Sequence, residues 1–177
     1  RRLLVLVAII LLSLLISGQS VSADELTITV DRFDDPGSAP SVCDDETAND
    51  CSLRGAIDLA NGDIYNTYTI VLPAGTYTLN QDSEGTDDNN NTGDLDISTS
   101  LTIVGALNPP AIIDGPSNDR IFEIHSSNPL DLEVKISELT LRNGETNQSG
   151  GAIENNGARL TISFVTFESN LSTREGG

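Results

Sequence analysis

The chain contains no methionine and no tryptophan, a single histidine (His125), two cysteines and only 4% aromatic residues. Nine Lys and Arg stand against 27 Asp and Glu, a formal net charge of −18 over 177 residues. So few cations exclude binding to a nucleic-acid backbone, which needs clustered Lys and Arg to displace counterions. They equally argue against docking on anionic lipid. One His and two Cys fall short of the four ligands of a structural Cys/His zinc site. Methionine is missing even at position 1, which is Arg. The expectation is a truncated reading frame, with precursor residues before Arg1 and further sequence after Gly177.

What is present begins with a targeting pattern. Arg1 and Arg2 precede a run from Leu3 to Ile16 that is apolar except for Ser13. Small residues follow, ending in Val21-Ser22-Ala23 before Asp24-Glu25. A positive start, a short apolar core and small residues at −3 and −1 read as a secretory signal peptide, residues 1–23, cleaved after Ala23. The alternative is a membrane anchor, but the run falls short of the roughly 20 residues that span a bilayer. Cleavage removes two Arg and no acid, leaving a mature charge of 7 − 27 = −20. The product is expected to be secreted or at the cell surface, with no membrane insertion beyond the signal.

Export decides how Cys43 and Cys51 are read. In an oxidising compartment, two Cys so close in sequence are most simply a disulfide. The loop between them is polar and acidic, with nothing to bury, and needs a covalent staple to hold one shape. Two free buried thiols are the alternative.

Leu26 to Val30 alternates and is β-branched, a strand pattern. Leu53, Ala56, Ile57, Leu59 and Ala60 fall at helical spacing, with Ser52 or Asp50 as N-cap and Asn61-Gly62 as the stop. Beyond this one short helix the pattern is strands and turns: 68–72, 76–79, 101–104, 111–113, 121–124, 132–136, 139–141, 160–162 and 165–167. Gln81 to Thr92 reads as a polar excursion, and Asn155-Asn156-Gly157 as a turn. Residues 135–143 align with 161–169 at an offset of 26, and Gly150-Gly151 recurs as Gly176-Gly177 at the same offset. A period of this size built from short strands signals a solenoid, and with so little helix the candidate is a parallel β-helix. The paired glycines suit a corner that needs positive φ. An antiparallel sandwich remains the alternative.

Cys51-Ser52-Leu53-Arg54-Gly55-Ala56-Ile57, then Ala60-Asn61, then Leu72-Pro73-Ala74-Gly75-Thr76-Tyr77, resembles the CSLREA domain. Cys43, Gly93-Asp94-Leu95-Asp96-Ile97, Leu101 to Gly105, Ile113-Asp114-Gly115 and Asp119 to Phe122 extend the resemblance over nearly the whole mature chain. Gly150-Gly151-Ala152-Ile153 and Phe167-Glu168-Ser169-Asn170 are similar to the GGAI and FxxN motifs of polymorphic outer-membrane-protein repeats. The resemblance implies an exported bacterial protein. Its implied fold is all-β, a right-handed parallel β-helix of pectate-lyase type with a short disulfide-stapled N-terminal cap containing one helix. The cap would span residues 24–64 and the β-helix would start at 65 and run through 177. One position departs: Gly55 stands where the family has Glu, so the reciprocal half of a capping box is missing.

A parallel β-helix raises the question of polysaccharide chemistry. Asp94, Asp96 and Asp114 with Arg120 are the residues a lyase site would draw on, as calcium ligands and base. The reading adopted instead is a solvated acidic face, with Asp119 and Arg120 in a coil corner. His125 lacks a sequence partner and reads as a surface residue. No Gly-x-Ser-x-Gly elbow is present. No cofactor is expected. Calcium is left open for 87–94, which starts like an EF-hand loop but has Thr99 where Glu is needed, and for 31–50. The function expected is structural or adhesive, with glycans or cell surfaces as partners and no catalysis. The alternative is an extracellular polysaccharide lyase or glycoside hydrolase whose site lies beyond residue 177.

Overall fold

The computed structural model describes residues 24–37, 43, 47–80, 90–125, 132–174 and 176. The expected leader lies outside these, as do Asp44, Asp45, Glu46 and residues 81–89.

Strand β1 (Glu25–Thr29) comes first. Helix α1 (Leu53–Gly62) follows and buries Leu53, Ala56, Ile57 and Ala60, the positions of its apolar stripe. Ser52 is its N-cap: the Ser52 hydroxyl accepts a hydrogen bond from the Gly55 amide at 3.1 Å. With Gly rather than Glu at that third position, no side chain there reaches back to the Ser52 amide. Ser52→Ala is therefore expected to cost about 1 kcal/mol in chemical unfolding, a typical loss for a cap.

Three passes of short strands follow. The first is β2 (Thr67–Leu72), β3 (Gly75–Thr78) and β4 (Leu95–Ile97). The second is β5 (Leu101–Gly105), β6 (Ala111–Asp114) and β7 (Phe122–His125). The third is β8 (Glu133–Ser137), β9 (Leu139–Arg142), β10 (Glu145–Thr146) and β11 (Ile153–Asn156). The chain then returns through β12 (Arg159–Ser163), β13 (Thr166–Glu168) and β14 (Leu171–Ser172).

Each pass contributes one strand to each of three sheets. The orders are β1-β2-β5-β8-β12, β3-β6-β9-β13 and β4-β7-β11, with β10 paired to β14. All of these pairings are parallel, which removes the antiparallel sandwich. Strand β1 is thus the first member of the main sheet rather than a separate layer.

The registers build continuous apolar columns. In the first sheet Ile28, Ile70, Ile103, Ile136 and Ile162 lie opposite one another in succession. In the second, Tyr77, Ile113, Leu141 and Phe167 do the same. In the third the column is Leu95, Phe122 and Ile153. Side chains two apart on a strand share a face, so these columns point together into one core. Burying one such side chain contributes about 1.5–3 kcal/mol. Helix α1 packs on β2 and β4, over one end of that core. Toward the other end the enclosure falls off among the described residues: Ile136 is 0% exposed, but Ile162, next in its column, is 41% exposed.

Several details differ from the sequence expectation. Strands β8 and β12 pair Ile136 with Ile162, the same offset that the sequence repeat shows. The earlier steps, from Ile70 to Ile103 and from Ile103 to Ile136, are longer, so no fixed period runs through the chain. Asn155 and Asn156 belong to β11; only Gly157, at φ 97°, turns. Of the glycine pair, Gly150 takes positive φ (72°), whereas Gly151 is required for space. A Cβ there would come within 2.6 Å of the Leu171 backbone.

Cys43 and Cys51 are joined in a disulfide, as expected, and neither is a free thiol. Such a bond belongs to an oxidising compartment. The stapled loop is tied to the end of β1: Asp31 Oδ1 accepts from the Cys51 amide at 3.0 Å, and the Cys51 carbonyl accepts from the Asp31 and Arg32 amides at 3.1 Å each. Removing the bond with Cys43→Ser and Cys51→Ser together is expected to lower stability by about 2–3 kcal/mol, the loop-closure value for so short a ring. Denaturant midpoints of the double variant against the oxidised chain check this. Among the described residues no helix is long and apolar enough to cross a membrane.

Candidate functional site

Two buried guanidinium groups organise the polar interior. Arg54, in the first turn of α1, is 1% exposed. It meets Asp35 in a two-pronged pair, Nε to Oδ1 at 2.7 Å and Nη2 to Oδ2 at 2.8 Å. Its remaining donors reach the carbonyls of Gly93 and Asp94, both at 2.7 Å. A buried charge needs this degree of satisfaction. Asn90 completes the link between helix and strand. Its side-chain amide donates to the Arg54 carbonyl at 3.0 Å and to Asp58 at 2.8 Å. Asn90 and Asp96 exchange two further bonds, each backbone amide donating to the other side chain.

The second centre lies on the third sheet. Its registers stack Asp96, Glu123 and Glu154 in one column, one carboxylate per pass. Like charges directly opposite each other on neighbouring strands destabilise a sheet. Arg120, 1% exposed, offsets them. Its Nη1 meets Asp94 Oδ2 at 3.1 Å and also Glu123 Oε2; its Nη2 lies 2.9 Å from Glu154 Oε2. Asn156 donates to the other Glu123 oxygen at 3.0 Å. Asp119 accepts from the Arg120 amide at 2.9 Å. His125 Nε2 stands 3.4 Å from Asp96 Oδ1.

Asp94 is pushed up to about 8, chiefly by burial and then by the charges of Asp119 and Asp96, with Arg120 opposing the shift. It is therefore largely a neutral acid at pH 7. Asp94, Asp96 and Glu123 offer oxygens within 4.8 Å of one another, a group of the kind that holds a cation. Here the Arg120 guanidinium reaches into that group.

The sequence named four residues for lyase chemistry, and the structure brings three of them together. Asp94, Asp96 and Arg120 converge. Asp114 stands apart with Arg142 at 2.7 Å and the Asn143 amide at 2.7 Å. The reading of a solvated acidic face is corrected: Asp94, Asp96, Asp119 and Arg120 are all buried, none more than 4% exposed. They are covered because each has a partner on a neighbouring strand or corner. His125 is likewise no bare surface residue but sits against Asp96. Glu123 and Glu154 were missed. The signal was present as Leu95-Asp96-Ile97, Phe122-Glu123-Ile124 and Ile153-Glu154-Asn155, three acid-centred triplets that stack in register. In the calcium reading of 87–94, residues 87–89 lie outside the described ones, and Asn90 and Asp94 are engaged with protein groups.

Hollows among the described residues include a polar and an apolar one. A polar cleft of about 360 Å³ is lined by Ser117, Asn118, Glu145, Asn147, Gln148 and Thr173, among others. An apolar trough of about 400 Å³ beside β12 and β13 includes Ile153, Leu160, Ile162 and Phe167. Comparison of the chain with protein-family models, with curated proteins and with solved structures found no match.

Proposed function

We propose that the chain is an exported right-handed parallel β-helix of the pectate-lyase type, with a structural or adhesive role at the cell surface or in secreted form. It would bind glycans or other surfaces without catalysis. Residues 24–64 would act as the N-terminal cap and residues 65–177 as the start of the β-helix.

The observation that carries the reading is the in-register stacking of successive passes, which makes rigid lateral faces. On the first sheet, the positions alternating with the isoleucine column form the rank Thr27, Thr69, Thr102, Lys135 and Thr161. This rank holds no acid in a chain of charge −18. Hydroxyl groups at the strand repeat, about 4.8 Å apart, suit hydrogen bonding to an extended uncharged polymer. The polar cleft adds amide and hydroxyl groups of the same kind. The leader pattern, the disulfide and the resemblance to CSLREA and outer-membrane-protein repeats support export. The buried cluster argues against catalysis within this chain, since a reacting group must touch its substrate and Asp94, Asp96 and Arg120 are enclosed.

The test is to express the full chain in an exporting bacterial host, confirm a mature N-terminus at Asp24 by mass spectrometry, and assay the product on immobilised neutral and acidic polysaccharides. Binding without release of oligosaccharides, weakened by Thr69→Glu with Thr102→Glu, is the expected result. Turnover of an acidic polysaccharide would favour the lyase or hydrolase alternative. Retention inside the cell would overturn export.

A further inference from the structure

We propose that Asn156-Gly157, at the C-terminal end of β11, is a site of spontaneous self-modification, and that its conversion loosens β11 from β7. The chain holds Asn-Gly steps at Asn61-Gly62, Asn143-Gly144 and Asn156-Gly157. Such a step is chemically special because glycine has no Cβ to shield its own amide nitrogen. That nitrogen attacks the preceding side-chain amide carbon wherever the backbone lets the two approach.

The fold closes the first two steps. Gly62 is the last residue of α1, where the helical backbone holds its amide. Both ends of the Asn61 side chain are also engaged: Nδ2 donates to the Asp96 carbonyl at 2.7 Å and Oδ1 accepts from the Ser98 amide at 3.0 Å. At the second step the Gly144 amide donates to Asn170 Oδ1 at 3.0 Å, and the Asn143 side chain donates to Asp114 at 2.7 Å. The third step differs. Among the described residues β11 is the last strand of its sheet, so β7 alone holds it. Asn156 ends the strand and is exposed, as is Gly157. Gly157 turns away at φ 97°, and among the described residues no hydrogen bond holds its amide. The Asn156 side chain is held there by its bond to Glu123 Oε1, at 3.0 Å. Bending an exposed strand end is among the least costly local openings of a fold.

The reaction balances with water alone. The Gly157 amide nitrogen loses its proton and bonds to Asn156 Cγ. The Cγ–Nδ2 bond breaks and ammonia leaves, closing a five-membered imide. Water then opens the imide at either carbonyl, giving Asp or the isomer whose main chain runs through the side-chain carbons. Either product removes the amide that donated to Glu123 and adds a carboxylate beside it. An attraction across the strand pair becomes a repulsion. The isomer also adds a carbon to the backbone at the end of β11.

The experiment incubates the full chain at neutral pH and follows each amide-to-acid change by peptide mass spectrometry. Cleavage after Glu145 and Glu154 puts Asn143 and Asn156 on separate peptides. In the folded chain Asn156 is expected to convert at least about tenfold faster than Asn61 or Asn143, since it alone reacts without wider unfolding. In urea the three are expected to draw level, because the fold makes the selection. No conversion at Asn156, or equal conversion of all three in the folded chain, would overturn the site. Asn156→Asp supplies one product directly, and Asn156→Gln keeps an amide as its control. Hydrogen exchange of the β7 and β11 amides is expected to be faster in the Asp variant by up to about fivefold, the scale of a like-charge cross-strand pair. Equal rates in the two variants would overturn the loosening.

Discussion

Arg120→Met is expected to lower stability by about 3–5 kcal/mol, the usual cost of removing one partner from a buried ionic group. For a chain of this size that is a fall of roughly 10 °C in Tm. Methionine keeps much of the side-chain volume, so the loss is electrostatic rather than a cavity. It strands Asp94, Glu123 and Glu154, each of which meets the guanidinium directly. Arg142→Met is the control. Arg142 also makes a short bond, to Asp114 at 2.7 Å, but both side chains are partly exposed (33% and 21%). Water takes over much of what that guanidinium supplies, so the expected loss is below about 1 kcal/mol. Thermal unfolding of the two variants side by side checks the contrast. Equal losses would mean that Arg120 is no better enclosed than Arg142.

The second large effect concerns the isoleucine column. Ile136→Ala is expected to cost about 3–4 kcal/mol, because Ile136 is enclosed by Ile103 on one side and Ile162 on the other and leaves a cavity when truncated. Ile162→Ala removes the same atoms one strand further along. At 41% exposure it opens onto water rather than leaving a void, and the expected loss is about 1 kcal/mol. Denaturant unfolding with a shared m-value gives both numbers. The difference measures how much of the stability comes from enclosure between strands rather than from the residue type.

These contrasts also explain what the sequence alone conveyed. The helix was legible because Leu53, Ala56, Ile57 and Ala60 repeat at helical spacing and Ser52 stands at the cap. Strands such as Thr67–Leu72 and Glu133–Ser137 were legible because Tyr68, Ile70 and Leu72, and Val134 and Ile136, fall at alternate positions. The disulfide followed from export and spacing. The strands β10, β11 and β14 were not legible, since Glu145-Thr146, Glu154-Asn155-Asn156 and Leu171-Ser172 show no apolar alternation; their neighbours in the stack impose the extended form. The cluster was hidden for a related reason. The step along the chain from Asp94 to Arg120 is not the step from Asp96 to Glu123, and the step from Glu123 to Glu154 is longer than either. Corner lengths vary between passes, so counting along the chain does not predict which side chains stack. Register is set by which residues must face the core. Alternating acids on one short strand therefore read as solvent-facing, when the next pass covers them.

The central claim is that successive passes stack parallel and in register. The most direct measurement is a methyl–methyl NOE spectrum of the mature chain labelled at isoleucine δ1. The expected result is an unbroken chain of cross-peaks from Ile28 to Ile70, Ile103, Ile136 and Ile162, each distant from the next in sequence. Cross-peaks that skip a member, run in another order or pair Ile103 with β-strand residues shifted by one or two positions would contradict it.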